Sequence, residues 1–418
     1  MISLVKASAI FVLSLYCHAI NATNSTISHL VNHPITTAQQ TPDNFADLAP
    51  LGEAIGNKRI VMLDELTHGE GNVFQLKTRI VEYLHQKKGF NLFVIESGFF
   101  DVARLWQQQQ SIRQLAPGNI FYMYANSAEV WPLFDYIDAS RTTPTPLVLA
   151  GFDGRLSGNL SKQKLVPQLK TFLEKQKIQA EKNNYLQQLQ SLLDGNLEKA
   201  DAATQKKFLV SNSALDQALQ QLKQKSSLRL DAGFWQRINA SVRMMAEVAW
   251  QQKHFDEHDL AMAGNLQWLA EEAYPDSKII VWGHYIHLNR KGGFRGSLHH
   301  PEYVHNMASA LPTPLLEKTY VLHFAGASGE YIDFGDLQKI HVNAPTTLLE
   351  ETLNRDINAA IFIDMKTNAN GKKLPPLWGH EYKTTLDWQD AQQRFDGMIL
   401  LKQITPASYH TPKAPTEN

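Results

Sequence analysis

Short apolar runs alternate along the chain with longer stretches in which apolar residues recur every three or four positions. Each run has the length of one strand and little polar content, which is typical of strands buried on both faces of a parallel sheet. The runs predict strands at residues 59–63, 91–95, 146–152, 278–282, 320–324, 359–363 and 398–401. Between the first two, the helical spacing of the apolar residues predicts a helix over residues 72–88 that ends at Gly89.

The middle of the chain has a different pattern. Residues 160–269 are rich in Gln, Lys, Leu and Ala and contain almost no strand pattern, whereas Leu165, Leu169 and Leu173 lie on one helical stripe. We therefore predict an α/β fold with a mostly parallel central sheet flanked by helices. Residues 160–269 are expected to form a large helical excursion that leaves the sheet, covers a cleft at the edge of the sheet, and returns to it.

The first residues are typical of a signal peptide. An apolar segment over residues 7–16 follows Lys6 and is too short to span a membrane as a helix. We predict a signal peptide over 1–22, a polar tail over 23–45, one α/β domain over 46–405 and a loose tail over 406–418. The single cysteine, Cys17, lies in the predicted signal peptide, so the mature chain would hold neither a disulfide nor a thiolate nucleophile. A secreted or periplasmic enzyme is expected.

Composition narrows the classes of partner. The chain has 418 residues, of which 43% are hydrophobic, enough for a sizeable core. Lys and Arg number 40 against 41 Asp and Glu, so the net charge is −1, which argues against a nucleic-acid partner. No segment after the predicted signal peptide is apolar and long enough to cross a membrane, so no membrane association is expected after its cleavage.

Titratable side chains follow four of the predicted strands. They are Asp64, Glu65 and His68 after the first, Glu96 after the second, Asp153 after the third, and His284 and His287 after the fourth. The carboxyl ends of parallel strands lie at one edge of a sheet, where ligands bind, so these side chains are expected to meet in one cleft. Imidazoles and carboxylates suit hydrolysis by an activated water. The chain has no Gly-x-Ser-x-Gly motif, which argues against a serine esterase.

Three segments resemble motifs of the erythromycin esterase family. Residues 65–69, Glu-Leu-Thr-His-Gly, resemble its Gly-Glu-x-Thr-His-Gly motif, with Asp64 in place of the first glycine. Residues 259–265 resemble its Arg-Asp-x-x-Met-Ala-x-Asn motif, with His258 in place of the arginine. Residues 282–287 resemble its Trp-x-His-Asn-x-His motif, with Tyr285 in place of the asparagine. The order and spacing agree over about residues 56–324.

This resemblance implies a mixed α/β fold and hydrolysis of an ester or macrolactone by a water molecule that a histidine activates. His68 would be the general base, and Glu65 and Glu96 would support it or hold the water. His284 and His287 would complete a polar wall and assist the substrate carbonyl. The resemblance implies a small-molecule ester or lactone as substrate, no cofactor and no bound metal.

Two other interpretations stay open on the sequence. The same Glu and His side chains suit a zinc ion, which would make the protein a metal-dependent hydrolase. Separately, residues 254–258 match the His-x-x-Glu-His motif of a zinc peptidase. A ligand-binding or polysaccharide-assembly protein on the same scaffold is the second alternative. Lys77 and Arg79 are interpreted as charges on the surface of the predicted helix, with the alternative that Lys77 reaches the cleft.

Overall fold

The computed structural model describes residues 30–36, 45–178, 184–252, 257–292, 305–354, 359–368 and 374–410. The predicted signal peptide, including Cys17, lies outside these residues. In chain order, the strands of the described part are β1 (His33–Ile35), β2 (Ile60–Leu63), β3 (Leu92–Gly98), β4 (Val148–Asp153), β5 (Ile279–Trp282), β6 (Thr319–Gly326), β7 (Ser328–Ile332), β8 (Lys339–Asn343), β9 (Ala360–Asp364), β10 (Leu377–Trp378), β11 (Thr385–Leu386) and β12 (Gly397–Leu401).

A mixed sheet forms the centre of the described residues. It has eight strands in the order β1-β9-β12-β6-β2-β5-β3-β4. The strands from β12 to β4 in that order run parallel to one another, whereas β9 is antiparallel to β12 and β1 is antiparallel to β9. The pairs β7–β8 and β10–β11 form separate two-stranded ribbons. The prediction of a mostly parallel central sheet is therefore confirmed.

Helices surround this sheet. In the described residues they are α1 (Ala49–Ile55), α2 (Gly71–Lys88), α3 (Phe99–Trp106), α4 (Ile112–Leu115), α5 (Tyr122–Ala125), α6 (Trp131–Ser140), α7 (Val166–Lys175), α8 (Tyr185–Leu193), α9 (Ala202–Lys223), α10 (Arg229–Ala249), α11 (Glu257–Trp268), α12 (Tyr285–Leu288), α13 (Thr313–Glu317), α14 (Leu349–Asn354) and α15 (Trp388–Arg394). The helix α2 ends at Gly89, whose φ of 72° lies in the left-handed region that favours glycine.

The segment between β4 and β5 forms helices joined by turns and loops, and its described residues include no strand. It comprises α7 to α11, with one π-helical turn before α7 and another after α11. A buried polar cluster joins three of these helices, since the Asn212 amide contacts both the Tyr185 hydroxyl and Asn239 Oδ1. The helix α11 packs against β4 and returns the chain to the sheet. The start of α11 therefore lies beside the carboxyl ends of the strands.

The strand order brings the carboxyl ends of β2, β5 and β3 next to one another. The chain passes from β2 to β3 to β4, and only after the helical segment does β5 insert between β2 and β3. All four residues of β2 and all four of β5 are buried, which is why both appear in the sequence as uninterrupted apolar runs. Within the part of the chain that the structure describes, no helix is both long and apolar enough to cross a membrane.

Candidate active site

The loop that follows β2 holds a buried glutamate–histidine pair. Nδ1 of His68 lies 3.1 Å from Oε1 of Glu65. Glu65 is fully buried, whereas His68 keeps 5% of its surface exposed. A carboxylate accepts hydrogen bonds, so we assign the proton to Nδ1, which leaves a lone pair on Nε2. This arrangement gives His68 the tautomer of a general base.

Two further donors hold the carboxylate of Glu65. Lys77 of α2 donates to Oε2, and the hydroxyl of Tyr124 in α5 donates to Oε1. The Lys77 side chain is fully buried, and its Nζ lies 4.1 Å from the centre of the Trp282 ring. Burial lowers the pKa of Lys77, and the carboxylate of Glu65 opposes that shift. Glu65 therefore lies in a rigid set of hydrogen bonds that fixes the His68 ring.

The prediction that Lys77 and Arg79 are surface charges is wrong, whereas the alternative that Lys77 reaches the cleft agrees with its contact to Glu65. Both are buried, and Arg79 pairs with Asp47 at 2.7 Å. The sequence did carry a signal for Lys77. Its position is four residues after Val73 and three before Ile80, which places it on the apolar face of α2.

Aromatic side chains border the outer side of the His68 ring. The ring centroid of His68 lies 4.8 Å from that of Phe121 and 5.3 Å from that of Phe334. Phe334 is 37% exposed, so this side of the pair faces the surface. The Tyr122 hydroxyl donates a hydrogen bond to the Phe334 carbonyl, and this bond links the segment that carries Phe121 to the segment that carries Phe334. On its inner side, the His68 ring lies 4.5 Å from the ring of His284.

Glu96, at the end of β3, holds the loop after β5. Its Oε2 accepts a hydrogen bond from the backbone N–H of His284 at 2.6 Å. Glycine at position 283 permits this approach, because a Cβ there would lie 2.8 Å from the same oxygen. His284 Nε2 lies 3.0 Å from the carbonyl oxygen of Leu66, so Nε2 carries a proton. Burial, reinforced by the neighbouring histidines, holds the pKa of His284 well below its usual range.

His287 lies between two carboxylates. Its Nδ1 is 2.6 Å from Asp259 Oδ1, and its Nε2 is 3.5 Å from Glu96 Oε1. Burial alone would lower the pKa of His287, but the two carboxylates outweigh it and raise the pKa to about 9. In an extended strand, His284 and His287 would point to opposite faces. However, β5 ends before His284 and the helical turn α12 follows, so the two rings lie 6.4 Å apart.

Further charged side chains lie behind His287. Asp259 also accepts a hydrogen bond from the backbone N–H of Met307 at 2.8 Å. His258 Nε2 contacts Asp153 Oδ1 at 2.6 Å, and Arg155 pairs with the other carboxylate oxygen at 2.7 Å. Burial acts to raise the pKa of Asp153, but these two partners hold it well below its usual range. His258 is thus engaged with Asp153; His254 of the zinc motif lies outside the described residues.

The departure from the family motif at position 64 has a structural partner. Asp64 is fully buried and contacts His323 Nδ1 at 2.8 Å, and it accepts the backbone N–H of Phe324 at 2.8 Å. It therefore ties the end of β2 to β6.

Residues 406–410 are the described part of the segment predicted to be a loose tail. They lie against the loops that carry Glu70 and Ser127, through backbone bridges from Glu70 to Pro406 and from Ser127 to Tyr409.

Glu70 closes the loop that carries His68. It is fully buried, accepts the backbone N–H of Thr67 at 3.0 Å, and accepts the hydroxyl of Tyr382. Burial raises the pKa of Glu70 to about 8; the carboxylates of Glu65 and Asp64 add to the shift, and the two hydrogen bonds oppose it. A neutral Glu70 is therefore compatible with the folded state over much of the acidic and neutral range.

This shift predicts a pH dependence of stability. The folded-state pKa of about 8 lies above the ordinary value of 4.5, so the folded chain holds this proton more tightly. The stabilisation is present below about pH 4.5 and is lost as the pH rises through about 8. Urea unfolding from about pH 5 to about pH 8 should therefore show a steeper loss of stability in the wild type than in Glu70→Gln, which mimics the neutral acid. The exposed Glu174→Gln serves as control, and equal slopes in all three proteins would contradict the assignment.

The structure thus brings together all the site residues predicted from the sequence. Glu65 and His68 form one group, Glu96, His284 and His287 form a second, and the His68–His284 ring contact joins them. Sequence reasoning missed Tyr124 and His380, whose ring lies 5.7 Å from that of His284. Neither residue belongs to a strand-end motif, so no local pattern indicated it. The geometry defines an α/β protein with a buried cluster of glutamate and histidine side chains at the carboxyl edge of its sheet.

Comparison with known proteins gives the family. The family model described as Erythromycin esterase matches residues 85–404, and the chain belongs to this family. A relative named "Putative hydrolase YbfO" from Bacillus subtilis (strain 168) is 27% identical over 402 residues, covering 86% of this chain and 87% of that protein. Family membership supports a hydrolase.

Solved structures share the fold. A succinoglycan biosynthesis protein has a TM-score of 0.74 at 17% identity, with 93% of this chain and 98% of that one covered. A Bacillus cereus protein has a TM-score of 0.72 at 18% identity, with 94% and 99% covered. A mutant of erythromycin esterase EreC in its open conformation has a TM-score of 0.67 at 18% identity, with 89% and 97% covered.

Proposed function

We propose that the protein hydrolyses a carboxylic ester or lactone by means of water that His68 activates. The observation that carries this proposal is the hydrogen bond from His68 Nδ1 to the buried Glu65 carboxylate. It directs the lone pair of Nε2 away from Glu65 and stabilises the imidazolium that forms when Nε2 takes a proton. The 5% exposure of His68 beside the surface residue Phe334 gives water and substrate a direction of approach.

The reaction follows from this arrangement. Nε2 of His68 removes a proton from water while the water oxygen bonds to the ester carbonyl carbon. The resulting tetrahedral intermediate collapses, the bond to the leaving alcohol breaks, and His68 returns its proton to the alcohol oxygen. The acyl group becomes a carboxylic acid without a covalent bond to the enzyme. The Lys77 and Tyr124 contacts prevent Glu65 from moving as charge forms on the imidazole.

The second group has a positioning role in this proposal. Glu96 holds the loop of His284 through the backbone N–H, and His287 holds Glu96. His284 donates its Nε2 proton to Leu66, so its Nδ1 is an acceptor and cannot donate to a substrate carbonyl. We therefore assign His284 to orienting the attacking water, as an acceptor, instead of the polarising role implied by the family resemblance.

The surface beside His68 favours a substrate with an apolar body. Phe334 and Tyr122, which a hydrogen bond links, are 37% and 36% exposed. An exposed apolar cluster at the edge of a site is typical of a ligand-contact surface. A large, mostly apolar ester or lactone fits this surface better than a short charged ester. A macrolide antibiotic is one such lactone, and resistance would follow from its cleavage.

Turnover of a substrate panel tests the function. The panel contains aryl esters, medium-ring lactones and macrolides, and the His68→Ala protein is the blank. The proposal requires hydrolysis of at least one member by the wild type above this blank. Equal product formation by both proteins, with saturable ligand binding, would instead favour the alternative of a binding or polysaccharide-assembly protein.

Removal of metal gives a separate prediction. Because neither Glu65 nor His68 needs a cation for the proposed proton transfer, prolonged chelation should not lower the rate of hydrolysis. The measurement compares chelated protein with protein carried through the same dialysis without chelator. A rate that collapses on chelation and returns with one divalent metal would contradict the metal-free mechanism and make His68 a metal ligand.

We further propose that the protein is exported and that the signal peptide over 1–22 is removed. The supporting observation is the short apolar segment behind Lys6, which precedes small residues at Ala19 and Ala22. Amino-terminal sequencing of the protein from the periplasmic or extracellular fraction tests this proposal. A cytoplasmic protein that retains Met1 to Ala22 would contradict it.

A further inference from the structure

A cluster of potential metal ligands lies next to the proposed active site. His284, His380 and Glu381 each offer one nitrogen or oxygen atom, and these atoms all lie within 4.8 Å of one another. His284 follows β5, whereas His380 and Glu381 both belong to the 3-10 turn His380–Tyr382. His380 and Glu381 retain 20% and 17% of their side-chain surface exposed, so an ion can reach the cluster from solvent.

The hydrogen bonding of His284 favours a tautomer that suits a metal ligand. Its Nε2 donates to the Leu66 carbonyl at 3.0 Å, which leaves the lone pair on Nδ1. A histidine that binds a metal through one nitrogen commonly donates its other N–H to a backbone carbonyl or carboxylate, which fixes the ring and the tautomer. Burial lowers the pKa of both His284 and His380, and a neutral imidazole is the form that binds metal.

The turn that carries the other two ligands is held in a costly backbone conformation. Glu381 and Tyr382 have φ angles of 49° and 56°, in the left-handed region that non-glycine residues rarely adopt. Tyr382 is anchored there because its hydroxyl donates to Glu70 and accepts the backbone N–H of Gly326. Such conformations persist where the surrounding structure enforces them, and they concentrate at ligand-binding sites.

This turn brings the carboxylate of Glu381 to His380. Glu381 Oε1 lies 3.7 Å from His380 Nε2, while Oε2 accepts a hydrogen bond from Lys383 at 2.6 Å. One carboxylate oxygen and the two imidazoles therefore converge from two separate parts of the fold. Two histidines and one glutamate form a ligand set that zinc uses in hydrolytic enzymes, with water as the fourth ligand. Magnesium and calcium prefer oxygen ligands, so imidazoles select against them.

We propose that His284, His380 and Glu381 bind one zinc-class divalent cation, and that the bound cation inhibits hydrolysis. The binding part stands on the cluster alone. The inhibition part rests on the proposed function, because the ring of His284 lies 4.5 Å from that of His68. A hydrated cation on His284 would occupy the space in which water and ester meet His68. Its charge would also oppose the positive charge that forms on His68 in the transition state.

Calorimetric titration of the untagged, chelator-treated full chain with zinc chloride tests the binding. We expect one ion per chain, with affinity lowered about tenfold or more in His380→Gln and in Glu381→Gln. His341→Gln replaces an exposed histidine outside the cluster and should bind like the wild type. Circular dichroism confirms that each variant is folded. Cobalt(II) should give the intense visible absorption of a tetrahedral site in the wild type and lose it in both ligand variants.

Specific outcomes would overturn the proposal. Unchanged zinc affinity in both His380→Gln and Glu381→Gln would contradict the site. Loss of binding only in a variant of His299 and His300, which are consecutive in the sequence, would also contradict it. Zinc should also slow hydrolysis by the wild type, and the same zinc concentration should inhibit His380→Gln less relative to its own zinc-free rate. Faster hydrolysis with zinc would contradict inhibition. Because calorimetry needs no turnover, failure of the hydrolase proposal leaves the binding result interpretable.

Discussion

Replacing His68 with alanine should remove nearly all hydrolysis while the protein stays folded. The side chain is the proposed base, and a positioned general base typically contributes on the order of a hundredfold to ten-thousandfold to the rate. The loss should appear in kcat, because His68 acts on water in the transition state and is not expected to hold the substrate. Steady-state kinetics on the best substrate of the panel would measure it.

A matched control separates this role from a general effect of losing a histidine. His85 lies on the same helix as Lys77 but contacts Tyr136 and the carbonyl of Thr145, away from the site. His85→Ala should therefore keep a kcat close to that of the wild type. A folded His68→Ala protein with a kcat within about threefold of this control would contradict the base assignment, since that change is far below the usual contribution of a base.

Replacing Lys77 with methionine should have the largest effect on stability. Lys77 and Glu65 form a fully buried ion pair, and removal of one partner leaves the other charge buried without its counter-ion. Such a loss typically costs about 3–5 kcal/mol, whereas replacement of both partners by neutral groups of similar size is often tolerated. Urea unfolding should therefore show Lys77→Met to be strongly destabilised and Glu65→Gln/Lys77→Met to recover most of the loss.

The activity of the double variant separates the two roles of Glu65. Its stability should return, but its kcat should stay on the order of a hundredfold or more below the wild type, because a neutral glutamine cannot stabilise the His68 imidazolium. Additive free-energy losses in the two single variants and the double variant would contradict the buried pair. A double variant with wild-type kcat would show that the charge of Glu65 is not needed for catalysis.

The fold could be predicted from the sequence where burial was uniform. The strands β2 and β5 are buried at every position, so their apolar runs identified them to within one residue. The ribbon strand β8 has four exposed positions among its five, and β10 and β11 have two residues each, so neither length nor pattern distinguished them. Strand order depends on contacts between distant segments, and no periodicity encodes those.

The site could be predicted where it follows strand ends and could not where distant elements complete it. Glu65 and His68 lie in the loop after β2, and Glu96 lies near the carboxyl end of β3, so topology alone gathers them. The contact from Tyr124 depends on the short helix α5, and that from His380 depends on a strained turn late in the chain. The need for glycine at position 69 also depends on a distant segment. A Cβ there would lie 1.8 Å from the backbone carbonyl oxygen of Ile332, and only the folded structure reveals this close approach.

Chemical rescue tests the central claim most directly. Removal of the ring in His68→Gly leaves space beside the exposed rim at Phe334 for a small imidazole to enter. If His68 is a general base, added imidazoles should restore hydrolysis in proportion to their concentration, and more basic imidazoles should restore it faster, as the Brønsted relation requires. The wild type should be unaffected by the same additions. A folded His68→Gly protein that shows no response to any imidazole, or that retains the wild-type rate without one, would contradict the assignment of His68 as the base.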